Sequence, residues 1–129
     1  MNFSLEIGPH TDLDTLPSVK DVYVTMLPGG DYKETADKSG DLVKKGYNAV
    51  PHFPARSMQD ENELKDYVSR CKDGGVKQAL IIGGGREPSG KFDSSFQLLL
   101  VRFVLNYKAL FYQIDLLMLR VLVYYSQIH

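Results

Sequence analysis

The chain has 129 residues, 43% of them hydrophobic and 24% charged, a composition that supports one folded domain and excludes an intrinsically disordered protein. Its 15 basic and 16 acidic residues give a net charge of −1, so the overall field favours neither nucleic acid nor an anionic membrane surface. The single cysteine, Cys71, excludes an internal disulfide framework and a cysteine-only zinc site. We also see no secretion signal in the first residues. The single cysteine and this N-terminus predict a cytoplasmic protein.

Residues 3–7 alternate apolar and polar side chains, which is the period of a β-strand. Glu6 is therefore expected on the face opposite its apolar neighbours. In a closed barrel that face is the interior, where a carboxylate needs partners or a chemical role. On an edge strand the same carboxylate is solvated, and the spacing alone favours this second interpretation.

A second strand is predicted over 19–26, where Val22 to Thr25 are strong strand formers. After a short loop, residues 31–45 have the pattern of a charged surface helix with a thin apolar face. Asp31 can cap its N-terminus, with Glu34 at the capping-box position.

The segment 46–58 predicts a buried third strand that delivers polar side chains to one end of a sheet. Gly46 ends the preceding helix, and Pro51 and Pro54 would break a helix but are tolerated near a strand end. His52 is then expected outside the carboxyl end of the strand, where α/β sheets keep their ligands. The competing interpretation is a histidine that merely hydrogen-bonds within a packed loop.

A second helix is predicted to open within 57–60. Its apolar stripe falls at i, i+3, i+4 and i+7, the positions of Leu64, Tyr67, Val68 and Cys71. Cys71 belongs to this stripe, so it is expected to be core packing rather than a nucleophile. Gly74-Gly75 ends the helix, and 76–82 follows as a fourth, continuously apolar strand of the kind that parallel sheets bury on both faces.

Four strands separated by helices predict an α/β fold of repeated right-handed βαβ units. This is half of a (β/α)8 barrel or a small doubly wound sheet. Gly83-Gly84-Gly85 directly follows the fourth strand. Three glycines there let a ligand approach the backbone closely, or they form only a flexible connection.

Three segments occur in the order and rough spacing seen in the methylenetetrahydrofolate reductase family: Phe3-Ser4-Leu5-Glu6-Ile7, Val22-Tyr23-Val24-Thr25 and Pro51-His52-Phe53-Pro54-Ala55-Arg56. Residues 1–98 therefore resemble the N-terminal half of such a protein. The resemblance implies a (β/α)8 TIM barrel, of which this chain holds only the first half, followed by an atypical tail over 99–129.

The resemblance also implies a flavoprotein of one-carbon metabolism that reduces methylenetetrahydrofolate to methyltetrahydrofolate, with FAD as cofactor and NAD(P)H as reductant. Glu6 matches the family's glutamate that protonates the folate, a role that needs a desolvated carboxyl. The implied partner is the folate substrate, with no nucleic acid, membrane or metal ion, and a homo-oligomer is left open. The residues implied to hold FAD are Thr25, His52, Gly83, Gly84, Gly85, Phe92 and Ser94.

The glycine loop departs from the family pattern, because Gly83-Gly84-Gly85 stands where many members have Arg-Gly-Asp with an aspartate near the flavin. This departure motivates a second hypothesis, a folate-linked one-carbon or demethylation protein of the same fold. A third hypothesis is a non-catalytic fragment that associates with itself or with another chain, since a half-barrel leaves two open strand edges.

The tail is dominated by leucine, tyrosine and valine and contains neither glycine nor proline. Four charged residues interrupt any apolar window long enough to span a membrane, namely Arg102, Lys108, Asp115 and Arg120. One interpretation is a long amphipathic helix that covers an open edge of the half-barrel. The other, which the composition favours, is an out-of-frame translation of an AT-rich gene.

Overall fold

The computed structural model describes residues 3–27, 29–82, 87 and 90–91. Its strands form one parallel sheet whose spatial order follows the chain order. The strands are Ser4–Ile7 (β1), Asp21–Val24 (β2), Asn48–Pro54 (β3) and Leu80–Ile82 (β4).

Two α-helices connect the strands: Tyr32–Lys44 (α1) lies between β2 and β3, and Glu61–Asp73 (α2) lies between β3 and β4. Short 3₁₀ turns at Leu13–Thr15 and Ala55–Ser57 precede β2 and α2. The α/β prediction is thus confirmed as a four-stranded parallel sheet with two helices.

Aspartates cap the start of both helices. The carboxylates of Asp31 and Asp60 each accept a hydrogen bond of 2.9 Å from a backbone N–H of the first turn, which confirms the N-cap predicted at Asp31. The carboxylate of Glu34, at the capping-box position, lies 3.3 Å from His10 Nε2. The second helix begins at Glu61, later than the predicted 57–60, because residues 55–57 form a separate turn.

Strand alternation gives the sheet two faces, and α1 and α2 pack side by side on one of them. The core lies between these helices and the sheet. The helices contribute Leu42, Leu64, Tyr67, Val68 and Cys71, all with 0% exposure, which confirms Cys71 as a packing residue. The strands contribute Ile7, Val22, Val24, Ala49, Phe53 and Ile81.

Glycines end both helices, as predicted. Gly46 after α1 has φ 92° and Gly75 after α2 has φ 82°, a backbone conformation that residues with a side chain rarely adopt. At Gly75 a Cβ would also lie 3.1 Å from Val43 Cγ1, so the turn passes close to α1.

The fourth strand is shorter than the predicted 76–82, because its pairing with β3 extends only from His52 to Pro54. Within the described ranges, no helix is long and apolar enough to cross a membrane. The glycine loop Gly83-Gly84-Gly85 and the tail over 99–129 lie outside the residues that the structure describes.

Candidate functional site

Polar side chains from three strands meet on the sheet face opposite the helices. The register pairs Glu6 of β1 with Tyr23 of β2, and Tyr23 with Val50 of β3. His52 follows Val50 by two residues and so shares this face. Its ring lies against that of Tyr23, with centroids 6.2 Å apart and planes at 64°. We call Glu6, Tyr23, Thr25 and His52 the open-face patch.

The imidazole of His52 is the centre of this patch. Its Nε2 is buried, with no hydrogen-bond partner in the part of the chain that the structure describes. Burial lowers the pKa of His52 below its ordinary value of 6.5, and the Glu6 carboxylate opposes this shift only in part. The imidazole is therefore neutral at neutral pH and offers one nitrogen to a ligand.

The missing partner has an energetic consequence. A buried polar atom without a hydrogen bond costs about 1–3 kcal/mol, which a bound ligand with a suitably placed polar atom would recover. The interpretation of His52 as a histidine satisfied by a packed loop thus leaves its Nε2 atom without a hydrogen bond among the described residues.

Glu6 is exposed, because β1 is an edge strand of the described sheet. The solvated-edge interpretation of this carboxylate is thus the one that the structure bears out. The desolvation that a general acid needs is not provided by the described residues around Glu6. Its charge nevertheless acts on His52 across the sheet face.

Thr25 follows the end of β2 and is tied into the sheet. Its hydroxyl donates to the backbone carbonyl of Ile7 at 3.2 Å, and its backbone N–H donates to the same carbonyl at 2.9 Å. The Thr25 carbonyl in turn accepts a bond of 3.3 Å from the Thr35 hydroxyl. With its proton committed to Ile7, the Thr25 hydroxyl can still accept a hydrogen bond from a ligand.

The other predicted cofactor residues, Gly83, Gly84, Gly85, Phe92 and Ser94, lie outside the described residues. Of the predicted set, the structure places Glu6 and His52 on one face of the sheet, where the Glu6 charge acts on His52, and it places Thr25 directly after the intervening strand.

The amino ends of the strands form a different environment. The Asn48 side-chain amide donates to Asp21 Oδ1 at 2.9 Å and to Gln78 Oε1 at 2.6 Å, so the polar groups there satisfy one another. A pocket of about 320 Å³ also opens at this end, and Tyr23 of the open-face patch is part of its lining. Its lining consists of Phe3, Ser4, Ser18, Val19, Lys20, Asp21 and Tyr23.

Two tyrosines of the site were not predicted as such. Tyr23 was read only as a strand former, although alternation from Thr25 already places it on the same face. Tyr67 was read only as a member of an apolar stripe, yet its hydroxyl donates to the His52 backbone carbonyl at 2.8 Å. No local pattern in the sequence indicates that second contact, because 15 residues separate the two positions.

The described residues contain no group of three or more histidine, cysteine, aspartate or glutamate side chains placed to hold a metal ion. No protein-family model matches the chain.

Proposed function

We propose that this chain is the N-terminal part of a flavin-dependent, methylenetetrahydrofolate reductase-like protein that holds FAD against the open-face patch. The observation that carries the proposal is the buried Nε2 of His52, which lies on the same sheet face as Tyr23 and Glu6 and has no hydrogen-bond partner among the described residues. FAD, when bound, supplies hydride transfer between NAD(P)H and the methylene carbon of the folate.

The topology supports the barrel part of this proposal. A doubly wound sheet reverses its strand order and carries helices on both faces. Here the strand order follows the chain, and α1 and α2 pack together on one face. This arrangement is compatible with consecutive βα units of a (β/α)8 barrel, in which the opposite face would become the interior and ligands would bind at the carboxyl ends of the strands.

The chain's own residues fit a flavin in three respects. The neutral His52 imidazole has a nitrogen, Nε2, that no described residue bonds and that could form a hydrogen bond with a polar ring or phosphate atom. Tyr23 offers an aromatic surface beside it. The Thr25 hydroxyl, held by Ile7, can accept a hydrogen bond from a ring N–H.

Glu6 is the proposed acid. In a barrel, further strands beside β1 would remove its carboxylate from solvent and so meet the requirement for a carboxyl that holds a proton near neutral pH. The role of Glu6 therefore depends on barrel closure, whereas that of His52 does not.

The test is a visible absorbance titration of the full chain with FAD. We expect a perturbed flavin spectrum with the unaltered chain, and its loss in His52→Ala. His10→Ala is the matched control, because this histidine is exposed and its Nε2 lies 3.3 Å from the Glu34 carboxylate, outside the open-face patch. A folded chain that leaves the FAD spectrum unchanged would refute the proposal.

The reaction is tested separately from flavin binding. Where the barrel is closed, oxidation of NAD(P)H that depends on methylenetetrahydrofolate, and that Glu6→Gln abolishes, is the expected result. Flavin reduction by NAD(P)H without turnover of methylenetetrahydrofolate would instead favour the folate-linked protein of the same fold.

A further inference from the structure

Two hydroxyl groups from the helices reach the backbone at the carboxyl ends of β2 and β3. The Tyr67 hydroxyl of α2 donates to the His52 carbonyl at 2.8 Å. The Thr35 hydroxyl of α1 donates to the Thr25 carbonyl at 3.3 Å. Both carbonyls belong to residues whose side chains lie in the open-face patch, so each helix is bonded directly to a residue of the site.

Tyr67 is itself rigidly held. Its ring stacks on that of Phe53, with centroids 3.9 Å apart and planes at 7°, and the residue has 0% exposure. Burial raises the pKa of Tyr67 well above 10.0; the neighbouring Cys71 adds to this effect and the neighbouring Thr35 hydroxyl opposes it. The hydroxyl therefore keeps its proton and is a constant donor to His52.

The position of Phe53 explains how a contact on the helix side affects the other face. Phe53 and His52 are consecutive residues of β3, so their side chains point to opposite faces of the sheet. Tyr67 contacts this dipeptide at two points, because its ring stacks on Phe53 and its hydroxyl donates to the His52 carbonyl. These contacts limit rotation of the peptide unit, and with it the direction of the His52 imidazole.

We infer that Tyr67 and Thr35 are positioning residues that fix the His52 imidazole and the Thr25 hydroxyl for a ligand on the opposite face of the sheet. This inference rests on the proposed function for the identity of the ligand, FAD. Neither residue touches that ligand, because both lie on the helix-covered side of the sheet with at most 1% exposure.

The test compares three variants of the full chain. Tyr67→Phe keeps the stacked ring and removes the bond to His52, and Thr35→Val keeps the shape and removes the bond to Thr25. Tyr32→Phe is the matched control. It also removes a tyrosine hydroxyl, but this one joins α1 to α2 by donating to Asp66 at 2.6 Å. Two quantities are measured: the dissociation constant for FAD, and the pKa of His52 from the titration of its imidazole NMR signal, assigned with His52→Gln.

We expect Tyr67→Phe and Thr35→Val to weaken FAD binding roughly 5- to 10-fold, the loss typical of one hydrogen bond. In Tyr67→Phe the pKa of His52 should also move toward its ordinary value of 6.5, because a freed imidazole reaches solvent. Tyr32→Phe should change neither quantity, although it lowers stability. If Tyr67→Phe does not fold, the dissociation constant for FAD is measured with Thr35→Val alone, and it tests the inference at Thr25.

The outcomes separate this inference from the proposed function. Wild-type binding of FAD, with unchanged affinity and unchanged His52 titration in both variants, would overturn the positioning role and leave the function standing. Equal changes in FAD affinity and in the pKa of His52 in Tyr32→Phe would also overturn the positioning role. They would show that losing any hydroxyl between the helices loosens the fold. Absence of FAD binding in the wild type, with a His52 titration that shifts in Tyr67→Phe alone, would refute the function and support the positioning of His52.

Discussion

Gly40 of α1 lies directly against Gly74 at the end of α2. A Cβ added to Gly74 would lie 3.1 Å from the Gly40 Cα, whereas a Cβ added to Gly40 would lie 3.6 Å from the Gly74 Cα. The first distance is too short for ordinary packing and the second is a normal van der Waals contact. Alanine is therefore expected to change the free energy of unfolding in opposite directions at the two positions, although both glycines belong to the same helix contact.

Gly74→Ala is expected to lower the free energy of unfolding by about 1–2 kcal/mol, because the helices must separate to admit the methyl group. Gly40→Ala is expected to raise it by up to about 1 kcal/mol, since Gly40 lies within α1 and alanine is the better helix former. Urea denaturation of both variants checks this. A loss of stability in Gly40→Ala equal to that in Gly74→Ala would contradict the asymmetry of the contact.

The stability of the chain should fall as the solution is acidified below about pH 6.5, because the pKa of His52 is lowered by burial in the folded state. Between the lowered pKa and the ordinary one, the unfolded chain binds a proton that the folded chain does not. This stabilising contribution is complete above about pH 6.5 and is lost as the pH falls through the folded pKa, with a slope of at most about 1.4 kcal/mol per pH unit.

Urea denaturation at a series of pH values measures that slope, with His52→Gln as the test variant. The slope in this range should be smaller in His52→Gln than in the unaltered chain. Identical slopes in the wild type and His52→Gln would show that His52 ionises equally easily in both states.

Asn48→Ala should destabilise the chain by about 1–3 kcal/mol, because it removes the amide that bonds both Asp21 and Gln78. Asn48→Asp should be worse at neutral pH than at acid pH, since it sets a second carboxylate beside Asp21. Thermal unfolding at the two pH values distinguishes the variants. Wild-type stability in Asn48→Ala would mean that water replaces the amide at no cost.

Cys71 should resist alkylation in the folded chain. The residue has 0% exposure, and burial raises the pKa of its thiol far above the ordinary 9.0, so neither access nor thiolate is available. Mass spectrometry after treatment with iodoacetamide is expected to show labelling in urea and almost none in buffer. Rapid labelling in buffer would place Cys71 outside the core.

The local features of the fold could be predicted from the sequence, because their causes act within a few residues. Alternation located β1, the apolar stripe located α2, Asp31 capped α1, and the glycines at 46 and 75 ended the helices. Each signal depends on the chain's own backbone conformation and side-chain period, which neighbouring residues determine.

Features that depend on strand register or on contacts between distant residues could be seen only in the tertiary structure. The pairing of Glu6 with Tyr23 brings them beside His52, and the place of β1 at the edge of the described sheet leaves Glu6 exposed. The bond from Tyr67 to the His52 carbonyl joins residues that no local pattern connects. Burial of His52 Nε2 with no hydrogen-bond partner among the described residues likewise results from what surrounds the ring in space. Composition and periodicity carry no information about such contacts, since they describe the order of residues and not their distances.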